Sequence, residues 1–368
     1  MKKFYALISS AIILALLFSG CVVRTDPADQ EDDGQSTVSV VEEDKGNLNL
    51  LTGIYGQLSD EAVGKRPVAV MVNNISTAQP VQTGLNKADI VFECLVEGGI
   101  SRLMAVFSDL SECDRLGTVR SARYSYVQLA KSLDAIYVHC GMDDRYTRPY
   151  ANELSNFDFF DLGAQSDSLS TRIKNGLAYE HTLYISGETV EKAVYEKYGS
   201  DIDSRLEGKT VFNFNDPDNR TAQGDECISV TYYMSGDNYS TFKYDSETQK
   251  YRRCPFGNPQ SDYFTDEKIE FDNIFLLYAP TNEFSDGYHV RTDLDGGEGY
   301  YISNGAIKEI KWSKGDASDR LTLKNTDGSE LSVNAGRSFI AFPDINLASK
   351  TVIEPSPAVS EATESVDD

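Results

Sequence analysis

Five short apolar runs between residues 67 and 186 limit what this chain can fold into more than any other feature. They are "PVAVMVNN", "ADIVFECLVEGG", "RLMAVFSD", "AIYVHCG" and "HTLYIS". Each is bounded by polar or glycine-rich residues and is shorter than a core helix, so each reads as a strand. Two segments of different periodicity accompany them, "SARYSYVQLAKSLD" and "GETVEKAVYEKYG". In the first, Ala122, Tyr126, Leu129, Ala130 and Leu133 recur at three- and four-residue spacings, which predicts a helix. Strands alternating with helices pack as layers around a partly parallel sheet.

From about residue 208 the texture changes. "ISVTYYMSGDNYSTFKYDSETQKYRR", "NIFLLYA", "YYISNGAIKEIKWS", "RLTLKNTDGSELSVNAG" and "SFIAF" read as consecutive strands, with "NTDGS" as a hairpin turn. The fold expected is α+β overall. An N-terminal α/β domain over 47–207, with a mixed, partly parallel sheet, precedes a mostly antiparallel β-rich domain over 208–346. The polar stretch 200–226 marks the boundary.

The two ends carry a different signal. Lys2 and Lys3 precede an almost wholly apolar stretch to Phe18, and Ser19-Gly20 set small residues before Cys21. This is the pattern of a lipoprotein signal peptide over 1–20, with Cys21 lipidated as the first mature residue. The apolar run is shorter than the ~20 residues a bilayer span requires. Residues 21–46 and 347–368 lack hydrophobic periodicity and are rich in acids, Ser and Pro, so they read as a disordered tether and tail. The chain carries −24 in all; with −6 on the tether, −4 on the tail and +2 on the leader, −16 remains on the core. Such a core disfavours nucleic acid and anionic lipid surfaces as partners. After Cys21, Cys94, Cys113, Cys140, Cys227 and Cys254 are odd in number, which argues against a disulfide framework.

Against that acidity, "GTVRSARYSY" concentrates positive charge. Arg120 and Arg123 open the predicted helix, with Ser121 as its cap. Glu97 ends a strand just before Gly98-Gly99, and Arg102 begins the next. Strand ends and helix starts meet at one sheet edge, where α/β folds place ligands. Glu97, Arg102, Arg120, Arg123, His139 and His181 are therefore the candidate ligand-binding residues, with guanidinium forks suited to carboxylate or phosphate. The same arginines can instead pair with Glu93, Glu97 and Asp134 and merely fix helix against sheet. No catalytic residue is assigned. Glu93 and Glu97 lie about 13 Å apart along a strand, beyond any glycosidase spacing. His139 and Cys140 point to opposite strand faces. Three scattered histidines and no Cys-x-x-Cys pair predict no metal, and nothing calls for a cofactor. The tyrosines at 232, 233, 239, 244 and 251 fit core packing or an outward aromatic surface.

Several stretches resemble the YerB-like family of bacterial lipoproteins, most particularly "EGGISR" and "VRSAR". "PVAVMVNN", "LGTVRSARYSYVQLAKSLDAIYVHCG", "GEGYYISNGAIKEIKWSK" and "DGSELSVNAGRSFIAF" extend the resemblance over most of residues 67–343, with Gln79 standing where the family tends to have Arg. The resemblance implies location and architecture, and implies no catalytic residue. The function expected is that of an extracytoplasmic, lipid-anchored cell-envelope protein, held at the membrane through Cys21. It binds or scaffolds, offering an arginine-lined cleft to a partner protein or an anionic cell-wall ligand. The alternative is an envelope hydrolase or transferase acting on wall polymers with Glu97, His139 and His181.

Overall fold

The computed structural model describes residues 45–355; the leader, Cys21, the tether up to residue 44 and the tail from 356 lie outside the described residues. Within them, strands from both halves of the chain join one mixed, eleven-stranded sheet. The first half supplies β1 (Val68–Asn73), β2 (Ile90–Leu95), β3 (Ser101–Phe107), β4 (Ile136–His139) and β5 (Phe159–Asp161). The second half adds β6 (Asp225–Glu226) and then leaves for a separate antiparallel sheet. That sheet contains β7 (Ser229–Ser235), β8 (Asn238–Asp245), β9 (Lys250–Pro255) and β10 (Glu270–Phe271). The chain returns to the main sheet through β11 (Asn273–Leu277), β12 (Gly296–Ser303), β13 (Ala306–Ser313), β14 (Thr322–Asn325) and β15 (Ser338–Ala341). The main order is β6-β13-β12-β11-β15-β2-β3-β1-β4-β5, with β14 beside β13.

β15 joins the two halves. It pairs in parallel with β2 on one side, Ile90 opposite Ser338, and with β11 on the other, Asn273 opposite Ser338. The texture change near residue 208 is thus a change of topology along the chain, while the sheet itself runs on across both halves.

Side-chain alternation along the strands makes two cores. In β1, Val68, Val70 and Val72 face one way and Ala69 and Met71 the other, all fully buried. Three helices help to cover these faces: α1 (Tyr124–Ser132), α2 (Thr147–Glu153) and α3 (Gly187–Tyr198). Val190 and Val194 of α3, with Val230, Tyr232 and Phe242 of the second sheet, lie on the Val68 side. Tyr126, Leu129 and Ala130 of α1 lie on the Ala69 side. Each fully buried aliphatic or aromatic side chain contributes about 1.5–3 kcal/mol, so both faces stabilise the sheet.

Two expectations need correction, and for Tyr232 and Tyr251 the structure decides the open alternative in favour of core packing. "HTLYIS" does form a strand, Leu183–Ile185, but it pairs with Leu116–Gly117 and Thr171–Arg172 in a small sheet of its own. Residues 347–354, assigned to the tail, are ordered: β16 (Val352–Glu354) pairs with the open edge of β7, and Ile353 packs on the core. An unpaired strand edge recruits a partner even from a polar segment. Tyr232 and Tyr251 offer no outward surface, being fully buried, with hydroxyls donating to Glu93 Oε2 (2.5 Å) and the Cys227 carbonyl (2.7 Å). The five cysteines from Cys94 onward are all free.

The two halves also share a buried polar seam. Glu93, 1% exposed, accepts from Asn74 Nδ2 (2.8 Å), Ser101 Oγ (2.5 Å) and the Tyr232 hydroxyl. Asn74 Oδ1 in turn accepts from Nη2 of the wholly buried Arg253 (3.0 Å), which also donates to Gln260 Oε1 (2.6 Å). A buried polar side chain is tolerated there because protein donors replace water. Glu93→Ala strands those donors and is expected to lower unfolding free energy by about 3–5 kcal/mol in urea titrations. A loss below about 1 kcal/mol would contradict this role for the seam.

Candidate functional site

β1 and β4 run parallel, β3 is antiparallel to β1, and β2 is antiparallel to β3. The last residues of β1, β2 and β4 and the first of β3 therefore share one sheet edge. The segment 118–122 crosses that edge in extended form. The Arg120 amide donates to the Met71 carbonyl (3.0 Å), the Cys140 amide to the Arg120 carbonyl (3.1 Å), and the Ala122 amide to the Gly141 carbonyl (2.9 Å). This strip sits between the ends of β1 and β4 and carries Arg120 and Arg123 to the edge. α1 then opens at Tyr124, with Arg123 as an extended cap residue (φ −140°, ψ 157°) that makes no side-chain cap bond. Ser121 does not cap the helix as expected, because the strip delays the first turn past it. At the neighbouring strand end, Gly98 and Gly99 adopt φ of 72° and 69°, which a side chain would resist. Their turn reverses β2 into β3 and leaves Glu97 at the edge.

The edge collects cations. Arg123 Nε donates to both carboxylate oxygens of Glu97 at 2.8 Å, and its Nη1 to the Ala122 carbonyl at 2.8 Å. Arg102, only 5% exposed, donates through Nη1 to the Ser121 carbonyl (2.6 Å). Arg120 donates through Nη1 to the Glu180 carbonyl (2.8 Å), while its Nε is buried without a partner. Each guanidinium is thus held by a main-chain carbonyl, and of the three only Arg123 meets a carboxylate among the described residues. Burial presses Arg102 down to about 9, with Arg123 and Arg120 adding to the effect and Glu97 opposing it. Burial also lowers Arg120; Glu180 opposes, and Arg123 and Arg172 reinforce. Those mutual effects mark the guanidinium groups as neighbours.

His181 joins this group. Its Nδ1 lies 2.7 Å from Asn73 Nδ2. Asn73 Oδ1 already accepts from the Ile75 amide, so the Asn73 NH₂ donates and His181 carries its proton on Nε2. Burial and then Arg120 hold His181 below its usual range. His139 does not join. It is fully buried between the rings of Tyr137 (5.4 Å) and Phe159 (5.8 Å), with neither ring nitrogen hydrogen-bonded. Asp161 lies 3.8 Å from its Nδ1 and accepts instead from the Gly141 and Gly163 amides. Burial, then Asp161, raises the Cys140 thiol, the wrong direction for a nucleophile. Among the described residues no group of three or more His, Cys, Asp or Glu side chains is arranged to hold a metal ion.

Two neighbours went unforeseen in the sequence. Arg172 stacks over the Tyr179 ring at 3.5 Å and adds positive charge beside Arg120. Asn73 orients His181. Both depend on a loop fold that no periodicity announces.

The chain matches two family models, the N-terminal domain of "Protein of unknown function (DUF3048)" over residues 51–200 and its C-terminal domain over 228–340. It is 29% identical over 316 residues to the Bacillus subtilis protein named "Putative lipoprotein YerB", covering 81% of this chain and 87% of that one. The crystal structure of the YerB protein from Bacillus subtilis superposes with a TM-score of 0.70 at 28% identity, covering 84% of this chain and 99% of the other.

His139 gives the site region a measurable pH dependence. Burial, opposed by Asp161, draws its pKa to about 4, against about 6.5 in an unfolded chain. Between those values the unfolded chain binds a proton that the folded one refuses, so stability falls as pH drops through this window. Unfolding free energy is expected to be about 2 kcal/mol lower at pH 5 than at pH 7 from this group, and His139→Phe should remove most of that fall. An undiminished fall in the variant would assign the effect elsewhere.

Proposed function

Because this chain belongs to the DUF3048 family, whose function is not known, we propose its role from the geometry. It is an extracytoplasmic, lipid-anchored binding protein of the cell envelope whose arginine edge takes an anionic ligand or an anionic group of a partner protein. One observation carries this reading: three neighbouring guanidinium groups have one ion-paired carboxylate, Glu97, while Glu180 acts on Arg120 from beyond ion-pair distance. Their Nη1 atoms are spent on main-chain carbonyls, whereas no Nη2 of the three has a hydrogen-bond partner among the described residues. A carboxylate or phosphate supplies the acceptors that such planar donors fit. The position at the strand ends of a sheet supports the same reading.

The hydrolase or transferase alternative has less support. Glu97 is engaged by Arg123, and His139 is sealed from solvent. For location, the leader pattern ending at Cys21 and the lipoprotein name of the Bacillus relative support anchoring at the membrane. No helix among the described residues is long and apolar enough to cross one.

Calorimetric titration with pyrophosphate and with citrate tests the site. Binding to the intact protein is expected to weaken with salt and to fall about tenfold or more when Arg120→Ala and Arg123→Ala are combined. Equal affinity in the folded double variant overturns the site. Cys21→Ser is expected to move the protein from the membrane fraction to the soluble one; retention at the membrane overturns the anchor.

A further inference from the structure

The loop after Arg172 returns to the Arg120 end of the edge. Arg172 pairs with Leu183 across a short hairpin, and the Val119 amide donates to the Leu183 carbonyl (2.8 Å), so hairpin and strip are fastened together. Between the hairpin strands, Tyr179–His181 forms a single turn of 3-10 helix. Two arginines hold consecutive carbonyls of that turn: Arg172 Nη1 donates to the Tyr179 carbonyl (2.7 Å) and Arg120 Nη1 to the Glu180 carbonyl (2.8 Å). The Tyr179 ring lies 3.5 Å from the Arg172 guanidinium and fixes its plane. The third residue of the turn, His181, is held by Asn73 so that Nε2 carries the proton. Among the described residues neither arginine has a carboxylate within ion-pair distance. The Nη2 of each, and Nε2 of His181, are likewise without a hydrogen-bond partner.

We infer that this turn is where the edge takes its anion, with Arg120, Arg172 and His181 as the donors, and that the anion is a doubly charged phosphoryl group. This rests on the arginine edge being an anion site, as proposed above, and centres that site on the Arg120 end. Arg102 is only 5% exposed and Arg123 is committed to Glu97, whereas Arg172 is exposed and Arg120 and His181 are half-buried. Charge selects the ligand class. Two guanidinium groups without an ion-paired carboxylate match the roughly 1.5–2 negative charges of a phosphate monoester at neutral pH, where a carboxylate brings one. Three side chains on one turn also suit the oxygens of a tetrahedral group better than the two of a planar carboxylate. Burial lowers Arg120, and repulsion from Arg123 and Arg172 adds to it; a dianion relieves that repulsion. Glu180 is the internal rival. Its exposed carboxylate stands 4.0 Å from His181 Nε2 and acts on Arg120 from beyond ion-pair distance. A phosphoryl group displaces it and makes the hydrogen bonds that it does not reach.

Calorimetry on the full chain at neutral pH uses methyl phosphate, inorganic phosphate and acetate, and the tighter of the two phosphates tells an esterified ligand from a free one. That phosphate is expected to outbind acetate about tenfold or more, and Arg172→Ala to remove the advantage. Glu180→Gln keeps the main-chain carbonyl that holds Arg120 and removes only the rival charge, so it is expected to tighten phosphate binding about threefold. A gain of affinity cannot come from a damaged fold, so this variant remains decisive if Arg172→Ala unsettles the loop. Unchanged or weaker phosphate binding in Glu180→Gln overturns the turn as the site. Full affinity in a folded Arg172→Ala does the same, and the anion edge itself survives where pyrophosphate binding still depends on Arg120 and Arg123. Acetate binding as tightly as either phosphate overturns the phosphoryl assignment. Failure of the intact protein to bind inorganic phosphate, methyl phosphate or pyrophosphate overturns both readings.

Discussion

Four residues, Ser338–Ala341, hold the architecture together. Lying between β2 and β11 and parallel to both, they pair their main-chain groups on two sides inside a sheet covered on both faces. Buried amides and carbonyls must be paired, and a central strand covered on both faces is largely apolar, which Phe339, Ile340 and Ala341 supply. The pairing also fixes the outer edge of β2, hence the turn after it and the start of β3. The positions of Glu97 and Arg102 are thus set by a strand about 240 residues further along the chain. Until that strand arrives, β2 presents an open apolar edge, so the first half gains a finished sheet only when the second is complete.

The same sheet carries two kinds of charge at its rim. Glu93 is the interior case: donors from both halves surround it, and through Asn74 it is linked to the buried Arg253. Glu97, four residues on, faces an excess of arginines. Formal charge does not explain the contrast, because the −16 of the core is spread over its surface and screened within about 8 Å at physiological salt. Local geometry sets the field at the edge. Main-chain carbonyls of Ser121, Ala122 and Glu180 orient the guanidinium groups without neutralising them.

The strands β1 to β4 and α1 were legible because side-chain period separates them: two in the strands, between three and four in the helix. The convergence of Glu97, Arg102, Arg120 and Arg123 was legible too, since strand ends and a helix start must meet at one edge. Which residues partner them was not. Ser121 has the chemistry of a cap, yet main-chain bonds from 118–122 to the ends of β1 and β4 hold it in extended conformation. Alternation put His139 and Cys140 on opposite faces but did not say how thoroughly each face is covered, and His139 lies on a sealed one. β16 hid in an acidic tail because pairing depends on the free edge of β7, not on its own composition.

What separates the arginine edge from a structural ion network is the balance of cost against compensation. A network that serves packing saturates its charges, as Glu93 does with three donors. The Arg102 guanidinium is almost as buried, yet it makes a single hydrogen bond, has no carboxylate partner among the described residues, and stands beside two like charges. Arg120 leaves a buried Nε unbonded. Each feature lowers the stability of the free protein, since desolvated cations without counter-ions are unfavourable. The seam leaves one nitrogen, Arg253 Nε, buried and unbonded, whereas the edge adds to the unbonded Arg120 Nε three neighbouring cations with one ion-paired carboxylate among them, so its charge is the less compensated of the two.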